Sequence, residues 1–459
     1  MFRQSAWDKY EGASLEAVHA FAREYCEFID QCKTERECVS RSEALAKAAG
    51  FIDLEAAVAQ GHRLAAGDRV YRSWMNKSIM LFVVGEQPLR EGMQILGAHI
   101  DSPRIDLKQN PLYEEDGLAY LDTQYYGGIK KYQWVTLPLA MHGVIARIDG
   151  SVLSVSIGEA EGDPVFCISD LLPHLADEQM KLSGDKLIEG EALNLIIGGR
   201  PLKGADKDPV KANVLRLLKE KYDIEEEDFT SAELELVPAG KARDMGFDRS
   251  MILGYGHDDR VCAYPSLRAL LDYEGTPRRT LCAILTDKEE IGSVGATGMR
   301  SHYFENTVSE LLACTSEYSE FDLKRALSNS RMLSSDVSAG YDPNYASAFE
   351  KKNAAYLGCG VCFNKYTGGE GKHASSDANA EFIGELRRCM RDGGVTYQFA
   401  EMGRVDLGGG GTIAYMCAKY CMNVIDCGVP VLSMHAPWEI ISKVDLYEAY
   451  KCYRAFLKE

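Results

Sequence analysis

The sequence predicts an α/β fold interrupted by a β-rich insertion, and three observations lead there. Apolar runs of strand length alternate with helix-spaced apolar positions before about residue 109 and again after about residue 251. Between those limits strand-like runs and turn signals dominate, with one helical stretch among them. The chain has 459 residues, 46% of them hydrophobic and 26% charged, a globular composition but more chain than one hydrophobic core usually organises. The simplest division is one α/β domain made of residues 1–109 and 251–459, with residues 110–250 inserted as a second domain.

Taken in order, Ala17, Phe21, Tyr25 and Phe28 recur at helical spacing and predict an amphipathic helix over 15–38, and 42–49 predicts another. Residues 79–84 and 93–99 read as strands. The second runs into the polar cluster His99, Asp101, Ser102, Pro103, where a loop must begin. In the insertion, 132–139, 143–148, 152–157 and 233–238 read as strands, Asp149-Gly150 as a hairpin turn and 208–222 as the helix. Beyond residue 250 the α/β alternation returns. Helices are predicted at 261–273, 309–327, 377–390, 413–420 and 445–458, and strands at 280–285, 332–336, 356–363 and 423–427.

A formal net charge of −18 and a pI near 5.1 disfavour nucleic acid and anionic membranes as partners, because phosphate binding needs clustered cations. No apolar run reaches spanning length, and an N-terminal segment carrying Asp8, Glu11, Arg23 and Glu24 matches no signal or transit peptide. The expected location is cytoplasmic. Fourteen cysteines scattered over a long chain read as reduced thiols. Cys359 and Cys362 form a CxxC, but on a strand positions three apart point to opposite faces. A glycine run precedes Thr412 without the GxxxxGK[ST] pattern of a nucleotide loop.

Five short motifs carry chemistry. In His99-Ile100-Asp101 the outer two residues share a strand face, so an imidazole can bind metal while a carboxylate orients it. His257-Asp258-Asp259-Arg260 precedes an apolar helix, which one carboxylate could equally cap. Glu289-Glu290 follows a strand and suits a division of labour, one carboxylate holding metal and the other serving as general base. Asp336 follows Ser334-Ser335, and His435 follows the strand-like segment ending at Leu432. Each is ordinary alone. Together, two imidazoles and three carboxylates are the donor set that zinc, manganese or cobalt accepts, and with a bridging carboxylate they suit two ions.

The motifs GAHIDSPRIDLK from Gly97, DDR from Asp258, EEIGSVGATGM from Glu289, SSDVSAGYDPNY from Ser334, KYTGGEGKHASSDANAEF from Lys365 and SMHAPWEIISKVDLY from Ser433 resemble those of the aspartyl aminopeptidase and aminopeptidase I family of dizinc peptidases, in its bacterial branch. The resemblance spans nearly the whole chain. It implies a mixed sheet with helices on both faces, interrupted by a β-rich dimerisation domain, and a zinc-dependent aminopeptidase acting on peptide substrates.

Residue by residue, the resemblance implies two Zn2+ per subunit, with Mn2+ or Co2+ as possible substitutes. His99 and Asp336 would hold one ion, Glu290 and His435 the other, and Asp258 would bridge them, with Asp259 as the rival bridge. Glu289 would be the catalytic base, Asp101 would stand behind His99, and His174 would reach the substrate in a neighbouring subunit. A homo-oligomer, dimers gathered into a dodecamer, is implied as well. Two other readings use the same residues: a non-catalytic metal-binding scaffold, and an amide deacylase or carboxypeptidase with the same dimetal site.

Overall fold

The strand Met93–His99 lies at the centre of a nine-stranded sheet. Across the sheet the order is Ile52–Asp53, Arg69–Trp74, Ser78–Val83, Thr280–Thr286, Met93–His99, Arg331–Ser334, Asn423–Gly428, Val361–Asn364 and Tyr397–Ala400. The middle four, from Thr280–Thr286 to Asn423–Gly428, run parallel, while antiparallel pairs flank them. Parallel strands are ordinarily covered on both faces, and the side chains here obey that rule residue by residue. Leu81, Val83, Leu96, Ala98, Leu281, Ala283, Leu333 and Ile425 enter one apolar core. Their neighbours Met80, Phe82, Ile95, Cys282, Ile284, Met332 and Val424 enter another. The first core is closed by Gly12–Gln31, Glu35–Ala48, His257–Leu271, Ala380–Asp392 and Lys443–Leu457, the second by Tyr303–Thr315, Glu320–Ser328 and Ala414–Ala418. The fold is therefore α/β with a mixed sheet and helices on both faces.

The computed structural model describes residues 4–373 and 375–459, so Ala374 of the Lys365 motif lies outside them. The chain divides into two compact units. One comprises the residues up to Ser102 together with Ala242–Met434 and Glu439–Glu459, and the other comprises Pro103–Lys241 and His435–Trp438. The joins at 102/103 and 241/242 differ by seven and nine residues from the 109/110 and 250/251 limits suggested by the sequence, and His435–Trp438, which that division leaves in the α/β domain, falls in the second unit. The first unit also holds a small sheet ordered Arg243–Met245, Met251–Gly254, Glu439–Ser442, Pro430–Leu432, Ser338–Ala339. The second unit is built on a six-stranded antiparallel sheet ordered Val152–Ile157, Leu139–Ala146, Ala232–Pro238, Arg104–Glu115, Leu118–Tyr126, Leu195–Gly198, with the helix Pro209–Tyr222.

Several sequence expectations are corrected. The predicted helix over 15–38 is two helices, because Thr34 caps the second through a reciprocal pairing with Glu37 and ends the first run near Cys32. The predicted helix over 309–327 is likewise two, restarted by the Ser319 cap on Asp322 N–H. Residues 132–138 are not a strand: they hold a 3₁₀ turn at Lys131–Gln133, and pairing begins at Leu139. The long hairpin Arg104–Glu115 with Leu118–Tyr126 escapes the periodicity reading. Its sequence signal is Asp116-Gly117, both at positive φ in the turn.

Candidate metal centre and active site

Three parallel strands deliver reactive side chains to one edge of the large sheet. Met93–His99 ends on His99, Thr280–Thr286 runs into Glu289 and Glu290, and Arg331–Ser334 runs into Asp336. Register aligns Thr286 with His99 and Ser334 with Gly97, so all three arrive at the same level. Carboxyl ends of parallel strands are where open α/β sheets place their sites. Asp336 is pressed against the next strand: a Cβ on Gly428 would stand 1.8 Å from the Asp336 carbonyl oxygen.

Asp258 comes from the small sheet, four residues beyond Gly254. The turn between them passes through Gly256 at φ +72°, where a Cβ would stand 1.9 Å from Arg260 Nη1 and 2.9 Å from Ser102 Oγ. Glycine is required there both for the left-handed backbone and for the close approach. The Asp258 backbone is then held at both ends. Its N–H donates to Glu439 Oε2 at 3.0 Å, and its carbonyl accepts from Ser102 Oγ at 2.6 Å. The Asp258–Asp259 peptide bond is cis.

One ligand-capable atom from each of His99, Asp258 and Asp336 lies within 4.8 Å of the other two, and the carboxylates of Asp258 and Glu290 approach within the same limit. His99 Nε2 is 3.1 Å from Asp258 Oδ1 and 4.0 Å from Glu289 Oε2. Its Nδ1 is 3.0 Å from the Asp101 carbonyl and 3.3 Å from Asp101 Oδ1. Asp101 has a second task that the sequence does not announce. Its two carboxylate oxygens accept the N–H groups of Glu289 at 3.1 Å and Glu290 at 3.2 Å. One buried carboxylate thus sets the His99 ring and the Glu289–Glu290 turn together. Asp259 stands outside the His99 group, and its carboxylate accepts the His99 N–H at 3.3 Å.

The electrostatics describe a site crowded with anions. Burial alone would lower the His99 pKa, but hydrogen bonds that its ring donates to the Asp101 and Asp258 carboxylates, and the charges of Asp101 and Glu289, carry it well above the usual imidazole value. Burial, reinforced by Glu289, pushes Asp336 well above the carboxylate range. Burial does the same to Asp259, with His99 opposing and Asp258 adding to it. Several carboxylates converging on an imidazole in low dielectric repel one another unless a cation joins them. Oxygen donors and imidazole nitrogen are the set that zinc accepts. The residues present fit a metal ion.

The two remaining predicted residues lie in the second unit. His435 sits in the loop His435–Trp438 with Nδ1 2.9 Å from the Gly128 carbonyl. His174 is exposed on the short turn Pro173–Leu175. Sequence reasoning missed Glu439, a buried carboxylate inside the strand Glu439–Ser442. Its only sequence signal is an acidic residue at the head of an apolar strand.

Fold and donor set define an α/β protein with a candidate metal site at the carboxyl ends of its parallel strands. A family model described as aminopeptidase I zinc metalloprotease (M18) matches residues 28–457. The probable M18 family aminopeptidase 1 of Clostridium acetobutylicum is 56% identical over 455 residues, covering 99% of this chain and 98% of the relative. That of Borrelia garinii subsp. bavariensis is 44% identical, with both chains covered in full. Among solved structures, an M18 aminopeptidase from Thermotoga maritima matches with TM-score 0.94 at 42% identity over 100% of this chain and 99% of that one. Aminopeptidase I from Clostridium acetobutylicum matches with TM-score 0.89 at 53% identity over the whole of both chains. The S. cerevisiae mApe1 dodecamer, at 20% identity and TM-score 0.78 over 96% of each chain, shares the fold. The chain belongs to the M18 family of zinc metallopeptidases and is an aminopeptidase.

Proposed function

We propose that this chain releases N-terminal residues from peptides with two zinc ions per subunit, using Glu289 as the general base. His99 and Asp336 would hold one ion, Glu290 and His435 the other, and Asp258 would bridge them. The observation that carries this reading is the meeting of His99, Asp258 and Asp336 within 4.8 Å, with Glu290 beside Asp258. His435 is assigned from its place in the chain. It lies four residues before Glu439, whose carboxylate accepts the Asp258 N–H and whose backbone pairs with Gly254. Its Nδ1 meets a backbone carbonyl, as the second nitrogen of a metal-ligating histidine usually does.

When bound, zinc supplies positive charge that polarises a carbonyl and acidifies water. The side chains do the rest. Glu289 lies 4.0 Å from His99 Nε2 through Oε2, outside the group of His99, Asp258 and Asp336. Its carboxylate takes the proton of the attacking water and passes it to the departing amine. Asp101, through the Glu289 and Glu290 amides, holds the base and a ligand at fixed spacing. Retention of Glu289 speaks against a non-catalytic scaffold, and the aminopeptidase names of its relatives speak against a carboxypeptidase or deacylase.

We place the chain in the cytoplasm as a homo-oligomer, with dimers assembling toward a dodecamer. Among the described residues no helix is long and apolar enough to cross a membrane. The test of the mechanism is Glu289→Gln. Turnover of aminoacyl-anilides should fall by at least about 10²-fold, the scale of a lost general base, while elemental analysis still finds both metals. Loss of one metal equivalent would instead make Glu289 a ligand.

A further inference from the structure

We propose that Tyr25, on the N-terminal helix Gly12–Gln31, is a positioning residue for the metal centre, acting through His257 on the backbone of Asp258. Three observations carry it. The Tyr25 hydroxyl and His257 Nδ1 are joined by a 2.7 Å hydrogen bond across 232 residues of sequence, and both residues are fully buried. Their ring centroids lie 5.6 Å apart with 24° between planes, so the hydroxyl meets Nδ1 from a ring nearly parallel to the imidazole, and burial of both leaves neither side chain room to swing. His257 immediately precedes Asp258, and its other edge packs on Gly254, where a Cβ would stand 3.1 Å from both Cε1 and Nε2.

The same stretch is tied to the same helical pair elsewhere. Arg260 Nη2 donates to the Lys33 carbonyl at 2.8 Å, from the turn that joins the two N-terminal helices. Asp30 accepts the Ala242 N–H at 2.7 Å, just ahead of the small sheet that leads to Asp258. The strand and turn that present Asp258 are thus clamped on one side by Glu439 and Ser102 and on the other by the N-terminal helices. Of the second set only the Tyr25–His257 bond bears on a residue adjacent to the ligand. Groups that orient a ligand without touching the metal typically contribute 10–100-fold to metal affinity. A bond acting one residue away along the backbone belongs at the lower end.

This inference rests on Asp258 as a metal ligand, and its test separates the two ideas. Zinc affinity is measured on the metal-free full chain by competition with a chromophoric chelator, alongside thermal unfolding of the same metal-free samples. Tyr25→Phe keeps the buried ring and removes only the hydroxyl. It should weaken zinc binding about tenfold. Tyr264→Phe is the control: its ring lies 5.8 Å from that of Tyr25, and its hydroxyl donates to Glu24 at 3.2 Å, away from His257. Zinc affinity in that variant should match the parent chain. Unchanged affinity in Tyr25→Phe overturns the proposal, and so does a lower melting temperature at unchanged affinity, the mark of a purely structural contact. If Asp258→Asn retains full zinc, the ligand assignment fails. If Asp258→Asn loses zinc and Tyr25→Phe does not, the brace alone fails.

Discussion

At the scale of residues, Asp258 and Asp259 are neighbours with opposite surroundings. Asp258 faces His99 Nε2 at 3.1 Å, whereas Asp259 turns to the His99 backbone. Two adjacent acids before a helix look alike in sequence, so the motif alone left the bridge open between them. What separates them is backbone geometry: Gly256, Ser102 and Glu439 each fix the path of Asp258, and none of these is spaced so as to announce the others. The expected outcome for Asp258→Asn is loss of both metal equivalents by elemental analysis, since a bridging carboxylate serves both ions. Asp259→Asn should keep both. Full occupancy in Asp258→Asn, or the reverse pattern, would move the bridge to Asp259. The motif residues His99, Glu289, Glu290 and Asp336 were legible because each stands at the end of an apolar run. Glu439 was not, because it opens an apolar strand instead of ending one.

At the scale of elements, the parallel core was legible and several element ends were not. The runs over 93–99 and 280–285 are apolar on both faces, so length and flanking polar residues were enough to mark them as buried strands. The breaks at Cys32–Thr34 and Ser316–Ser319 are set by caps, which leave only a weak trace when apolar spacing continues past them. One buried acid in the core ties an element to pH. Asp426, on the strand Asn423–Gly428, accepts from Thr412 Oγ1 at 2.6 Å, and burial pushes its pKa up to about 7 against the pull of the Thr412 and Ser334 hydroxyls. Its folded value lies above the unfolded one, so the folded state holds the extra proton between them. The stability that this group contributes is fully present below about pH 4 and is lost as pH rises through 7, with a slope of up to about 1.4 kcal/mol per pH unit. Asp426→Asn cannot ionise and should lose that slope. Urea unfolding at pH 5 and pH 8 should show the parent chain losing stability relative to the variant, and parallel pH profiles would refute the assignment.

At the scale of the whole molecule, the strand count of the insertion was legible only in part, and its surface not at all, because exposure depends on which face of each turn looks outward. Val165, Leu171, Leu172, Leu175, Met180 and Leu182 are all exposed, in the stretch that also carries His174. A run of exposed apolar side chains marks an interaction surface more often than a solvated one, and a second copy of this chain is the partner that the proposed assembly supplies. On that reading His174 is carried to a neighbour's active site, where its imidazole would donate to the substrate carbonyl as charge develops on the oxygen. His174→Ala should then leave zinc content and assembly unchanged while lowering turnover by roughly 10²–10³-fold, the scale of one lost donor to such an oxygen. Leu175→Asp should lower the mass seen by light scattering and lose activity in step, because the donor leaves with the partner. A monomer with full activity would defeat the shared site. Unchanged kinetics in His174→Ala would return that histidine to an ordinary place on the surface.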